Sequence, residues 1–287
     1  MTDFSYHASV LGLGGMLEDA SGCTTAVPSL AATALAPTGG IGSSVVENYC
    51  KDGVEFTRAE SRVCGSRLGS RDVFSTQADV YITNLTLFGR LKIALMQASL
   101  TSTRDANQAD SLFDFHATFR GVTVDGDEVV PALDVDLGSC GTYDDFARVV
   151  RGRSDDYAQR FDYEKQDLLD ALNARTPVRG SYLERAEVPR HLVKPPKGYA
   201  VHIPGYGKLH LAEFLFKHGR RRINLVRLQF GETLDFDVVE KSGEAGERLM
   251  MPMVLSGDPT TTSGSPSGGS MTVGSVEGNG SPIMPAK

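Results

Sequence analysis

Residues 202–230, HIPGYGKLHLAEFLFKHGRRRINLVRLQF, constrain the fold more than any other segment, because two apolar runs flank one polar, glycine-containing turn. That pattern predicts a β-hairpin. Both alternation sets of the first run are apolar, Leu209, Leu211 and Leu215 in one and Ala212, Phe214 and Phe216 in the other. Such a run reads as a strand covered on both faces, with Glu213 as the exception. A five-residue turn from His218 to Arg222 would set Lys217 opposite Ile223, Leu215 opposite Leu225, and Glu213 opposite Arg227. Glu213 and Arg227 are then a cross-strand structural ion pair.

The β character extends through the first half of the chain. Val54–Val63, Ala78–Leu87, Leu91–Leu100 and Asp114–Val124 have strand length, strand composition and polar or glycine ends. An internal echo links them: Asn48 precedes Gly53, Asn84 precedes Gly89, and Gly121 precedes Gly126, each by five residues. Asn and Gly tolerate positive φ, so the echo marks a repeated bend between strand pairs. Residues 20–45, rich in Ala, Thr, Pro, Gly and Ser, read as a surface loop.

Helical signals concentrate between Gly141 and Arg175. Thr142 and Asp145 have capping-box spacing ahead of Phe146, Val149 and Val150, which predicts a helix starting near Tyr143. Phe161, Leu168, Leu169 and Leu172 lie near one helical face and predict a second helix from about Tyr163 to Ala174. The fold expected is mainly β, an antiparallel sandwich or barrel-like sheet domain with a short α-helical insertion. Its parts are a first β-rich stretch (1–140), a helical insertion and basic connector (141–197), a closing hairpin with following strands (198–256), and a flexible Gly/Ser/Pro-rich tail (257–287).

The hairpin has a second significance. Pro204-Gly205-Tyr206-Gly207, Leu209, Leu211, Glu213 and Ile223 to Leu228 resemble the closing segment of the choice-of-anchor P bacterial proteins. The Val46-Glu47-Asn48-Tyr49 and Ile82-Thr83-Asn84-Leu85 segments, and the stretch from Gly121 to Gly126, are similar to that family's strand units. The resemblance implies a β-rich, non-enzymatic module displayed outside bacterial cells. It implies no catalytic residues.

Composition narrows the function classes. A net charge of -7 argues against a general nucleic-acid binder, and no apolar run reaches the length of a membrane-spanning helix. The N-terminal stretch lacks the basic start and continuous apolar core of a signal peptide, so a cytoplasmic address is expected; the family resemblance implies the cell surface instead. Cys23, Cys50, Cys64 and Cys140 have no CxxC spacing, which argues against zinc. If the protein is exported, Cys50 with Cys64 is the first disulfide to test.

Several clusters bear on chemistry. His202, His210, Glu213 and His218 fall close together in sequence, but on a regular strand His210 and Glu213 point to opposite faces, so no metal site is expected. Asp125 to Glu128 and Asp134-Val135-Asp136 lack a complete calcium loop and read as acidic turns. The glycines at 12–15 and 39–42 lack a P-loop's Gly-Lys-Ser/Thr ending and read as turns. Lys217, Arg220, Arg221 and Arg222 form the one candidate ligand or anion site. No catalytic residues and no cofactor are expected. The preferred reading is a non-catalytic structural or interaction protein acting through its sheet surface or by assembly, its partner another protein or itself. The alternatives are an anion-binding module and, third, a hydrolase built from distant segments.

Overall fold

The computed structural model describes residues 3–18, 23–69, 72–105, 108, 110–189, 192, 198–231 and 266–283. The chain begins with seven strands: β1 (Asp3–Glu18), β2 (Thr24–Ala34), β3 (Gly40–Lys51), β4 (Val54–Arg67), β5 (Val73–Leu87), β6 (Leu91–Asp105) and β7 (Leu112–Val124). Two short strands follow, β8 (Asp127–Glu128) and β9 (Val130–Leu133), then four helices, α1 (Val135–Gly138), α2 (Tyr143–Gly152), α3 (Ser154–Phe161) and α4 (Lys165–Ala174). The remainder is again β: β10 (Val178–Ser181), β11 (Leu183–Glu187), β12 (Val201–Ile203), β13 (Gly207–Lys217), β14 (Arg220–Phe230) and β15 (Gly268–Ile283).

The strands form two large antiparallel sheets. One is a six-stranded meander in the order β3-β4-β5-β6-β7-β8. The other has seven strands in the order β10-β13-β14-β15-β1-β2, with β12 also on β13, and a separate β9–β11 pair completes the set. β1 and β15 lie over β4, β5 and β6, while β2 lies over β3 and β4. The core between them includes Leu13, Val63, Ile82, Met96, Leu100, Met271, Val273 and Val276, each almost wholly buried. The fold is therefore mainly β and sandwich-like.

The helices pack against β10, β13 and β7. Phe146 of α2 stacks on Phe216 at 4.2 Å between ring centroids, and Phe161 of α3 meets Phe214 edge-on at 5.3 Å. Tyr182 stacks on Phe115 of β7, which ties this wedge to the six-stranded sheet. The expected capping box starts α2: the Thr142 hydroxyl accepts from the Asp145 amide, and the Asp145 carboxylate accepts from the Thr142 amide. The second expected helix is α4, which starts at Lys165. α1 and α3 are additional, each too short for helical periodicity to stand out.

Every long strand carries an irregularity at one level. In the six-stranded sheet the level runs through Asn48, Thr57, Asn84, Ala94 and Gly121, where the pairing ladder is interrupted. In the seven-stranded sheet it runs through Ala212, Leu225, Gly274, Gly12 and Ala31. On alternate strands the residue is left-handed, with φ of 52° at Asn48 and Asn84, 60° at Gly121, 49° at Ala212, 69° at Gly274 and 47° at Ala31. The strand between them comes close: a Cβ on Gly121 would lie 2.9 Å from the Ala94 Cβ, and one on Gly274 would lie 2.8 Å from Leu225 Cδ1. A left-handed residue reverses which face the following side chains occupy. Hence β5 buries Ala78, Val80 and Ile82 and then Leu85 and Leu87; β6, which has no left-handed residue, changes phase at the same level, from Leu91 and Ile93 to Met96, Ala98 and Leu100.

The strands correct four expectations. The Asn48, Asn84 and Gly121 echo marks a mid-strand kink, whereas its glycines mark turns: Asp52-Gly53 and Asp125-Gly126 close two-residue hairpins with both residues at positive φ. The glycines at 12–15 lie inside β1, where Gly12 belongs to the kink and a Cβ on Gly15 would meet the Ser270 carbonyl at 2.4 Å. The stretch 20–45 holds β2 and the start of β3 among its described residues, although its small residues resemble a loop. The tail expected to be flexible contains β15, which sits between β14 and β1 in the middle of a sheet. Residues 232–265, which include most of the strands expected after the hairpin, lie outside the described residues.

Candidate functional site

The hairpin forms with a two-residue turn, His218-Gly219, rather than five residues. Lys217 pairs with Arg220, Leu215 with Arg222, Glu213 with Asn224, and His210 with Arg227. The kink at Ala212 explains the misleading pattern: two regular half-strands of opposite phase look like one strand apolar on both faces. It also brings His210 and Glu213 to the same side. Arg227 donates from Nη2 to Glu213 at 2.7 Å and from Nε at 2.8 Å, while the Tyr199 hydroxyl donates at 2.8 Å. The ion pair therefore forms diagonally, not between directly opposed residues.

Burial raises the cost of ionising Glu213, but the Arg227 guanidinium and the Tyr199 hydroxyl outweigh it and hold the carboxyl at about 2. Burial, reinforced by the Arg227 cation, pushes His210 down to about 3 and keeps its ring neutral. His202 is paired opposite Lys208 in the β12–β13 ladder, and His218 turns away to Asp110 at 2.5 Å. Among the described residues, no group of three or more His, Cys, Asp or Glu side chains could hold a metal ion.

The candidate anion site does not converge. Arg220 and Arg222 lie on the outer face and both bind the carboxylate of Glu277, Arg222 from Nε at 2.8 Å. His7 approaches the same carboxylate at 3.4 Å. Burial would raise the Glu277 carboxyl, but hydrogen bonding from His7 and the two arginines bring it to about 2. Arg221 points inward between Phe113 and Phe216, its guanidinium carbon 4.6 Å and 3.9 Å from their ring centroids, and donates to the Cys140 carbonyl at 2.6 Å. Burial pushes this guanidinium down to about 10. Lys217 alone among the four is exposed without an ion pair to a described residue.

The acidic clusters are also structural. Asp125 turns the β7–β8 hairpin and holds Arg90 in a two-pronged pair at 2.6 Å and 2.7 Å. Asp134 is not in a turn of its own: it caps α1 at the Leu137 amide and accepts from Arg160 at 2.7 Å and Tyr157 at 3.1 Å. Cys50, Cys64 and Cys140 form no disulfide among themselves, and Cys50 and Cys64 lie toward opposite ends of the β3–β4 pair, opposite Glu55 and Ile41. The expected helical insertion and basic connector (141–197) ends in β10 and β11, which join the sheets.

A depression of about 310 Å³ over the seven-stranded sheet is lined by Arg222 and Glu277, already paired with each other; the outer face of the six-stranded sheet is a second surface, which one-dimensional reading missed. Pairing aligns Ser43, Arg62, Asp79, Ser99 and His116 in one row across five strands, and Val45, Glu60, Tyr81, Gln97 and Thr118 in the next. A shallow depression of about 280 Å³ opens over these rows. Tyr81 is 38% exposed within it. Asp79 accepts from Ser99 at 2.6 Å and from Gln77 at 3.0 Å, and Glu60 accepts from Arg58 at 2.7 Å. Arg62 faces Asp79 in the ladder yet makes no ion pair with a described residue. The available signal was polar alternation in consecutive strands, whose alignment depends on pairing register.

Among the described residues no helix is long and apolar enough to cross a membrane. No curated protein and no solved structure matches the chain. The model of a family described as a domain of unknown function, DUF8256, matches residues 4–217; the match runs from β1 to β13 across both sheets and the helical wedge, and the chain belongs to that family.

Proposed function

We propose that this protein is a non-catalytic recognition module whose working surface is the outer face of the six-stranded sheet. The observation that carries the reading is the depression over Tyr81, where an exposed aromatic ring and the exposed Arg62 lie among ordered polar side chains. Elsewhere the groups with chemical potential serve the fold: Glu213 holds Arg227, Glu277 holds Arg220 and Arg222, and Asp134 caps a helix. The resemblance to choice-of-anchor P proteins supports the same class, a displayed non-enzymatic module. The anion-binding alternative loses its basis because two of its arginines share a carboxylate and the third is buried.

Hydroxyl-radical footprinting tests this reading. The purified chain is labelled alone and in extract from its native cells, and modified residues are located by mass spectrometry. The expected result is protection of Tyr81 and His116, with Tyr49 at the sheet's far end unchanged. Protection confined to other surfaces, or no protection, would remove the proposed surface.

A further inference from the structure

We infer that the ligand class is a neutral polysaccharide chain lying across strands β4 to β7; this rests on the outer face being the recognition surface. A pyranose ring offers two kinds of surface, an apolar C–H face and a rim of hydroxyl groups. The depression offers both complements. Tyr81 supplies an accessible aromatic ring at its centre. Around it Arg62, Glu60, Asp79, Gln97 and His116 supply donors and acceptors suited to paired contacts with neighbouring hydroxyls.

Charge argues against the competing ligand classes. Two carboxylates and one guanidinium share the central rows, and Glu60 is already occupied by Arg58, so the surface concentrates neither sign strongly. With Arg58 held on Glu60, and Asp79 standing opposite Arg62, a phosphate or polyanion would find no excess of positive charge in the rows. A strongly apolar peptide would bury these charged groups without partners for all of them. A neutral polyhydroxylated chain exchanges water hydrogen bonds for equivalent ones and meets no net repulsion.

The sheet also has a suitable repeat. Adjacent strands lie ~4.8 Å apart, about the length of one pyranose unit in a chain, and the three intervals from β4 to β7 span roughly 14 Å. Across β4 to β7 the row Glu60, Tyr81, Gln97 and Thr118 therefore presents one side chain per strand at nearly the spacing of successive sugars. The open shape of the depression suits the middle of a chain more than an enclosed terminal residue.

Affinity electrophoresis through gels containing hydroxyethylcellulose, laminarin, xylan, galactomannan or dextran sulfate provides the test. At least one neutral polymer should retard the wild-type chain. Tyr81→Ala should weaken that retardation at least tenfold and Arg62→Ala severalfold; Tyr81→Phe should retain it, as should Lys208→Ala on the other sheet. The substituted side chains are exposed, and unchanged thermal melting verifies that each variant folds. The inference is overturned if no neutral polymer retards the protein, if only dextran sulfate does, or if Tyr81→Ala migrates like wild type. Extract-dependent protection of Tyr81 without retardation would discard the polysaccharide and leave the recognition surface standing; absence of both would discard both.

Discussion

Ending the chain after Ser267 removes β15, and the consequence should be loss of the native fold. β15 pairs with β14 on one side and β1 on the other, so its removal splits the seven-stranded sheet and exposes two strand edges. Met271, Val273 and Val276 are each 0% exposed. At ~1.5–3 kcal/mol for each fully buried side chain, their burial contributes about 5–9 kcal/mol. That is comparable with the whole stability of a typical domain, ~5–15 kcal/mol. Circular dichroism melting should show the truncated chain without a cooperative transition, and a peptide spanning 266–287 added in trans should restore it. A graded control is Met271→Ala, expected to cost about 2–5 kcal/mol. A truncated chain that melts like wild type would refute the central placement of β15 and return the segment to a dispensable tail.

Acid should act through Glu213 and Glu277, both held at about 2 in the fold. Because each folded value lies below the ordinary carboxyl value of 4.5, their stabilisation is complete above that pH and is lost as pH falls toward 2. The loss should be roughly 2–3 kcal/mol for Glu213 and less for Glu277, whose half-exposed arginines are screened by solvent. Melting temperatures at pH 7, 4.5 and 2.5 should fall less steeply for Glu213→Gln/Glu277→Gln than for wild type; parallel curves would remove the linkage. Gly274→Ala should destabilise by roughly 1–3 kcal/mol through its left-handed backbone and the approach to Leu225, whereas Ala212→Gly should be neutral or slightly stabilising. Equal effects in denaturant titrations would contradict the kink. Arg221→Met should match wild type within ~1 kcal/mol or exceed it, since the flexible apolar chain can occupy the slot between Phe113 and Phe216 without desolvating a charge. A loss above ~3 kcal/mol in the same assay would show that the guanidinium itself is required.

Local chemistry made part of this architecture readable. Thr142 and Asp145 announced a helix start because a capping box lies within four residues. β4 to β7 announced themselves through aliphatic and aromatic runs, and Glu213 found Arg227 even though the expected register was wrong. Non-local causes hid the rest. β2 is a mostly exposed edge strand of small and polar residues, and β15 is rich in Gly and Ser because β1 leaves little side-chain space: Gly15 of β1 and Gly269 of β15 approach opposite backbones at 2.4 Å and 2.2 Å from where a Cβ would stand. Composition alone cannot separate such a tightly packed strand from a loop. The Tyr81 surface takes its members from separate strands, so only the pairing register assembles it.

The level of kinks bears on how the sheets find their alignment. In an ordinary strand a slip by two residues returns each side chain to its original face, which makes it the least costly pairing error. Here such a slip would displace Asn84 from Thr57, whose hydroxyl it meets at 3.1 Å, and would move Gly121 away from the close approach of Ala94. Beyond the displaced kink, apolar side chains would face water while polar ones entered the core. The mid-sheet irregularity thus works as a vernier, rejecting a class of misalignments that uniform alternation would accept.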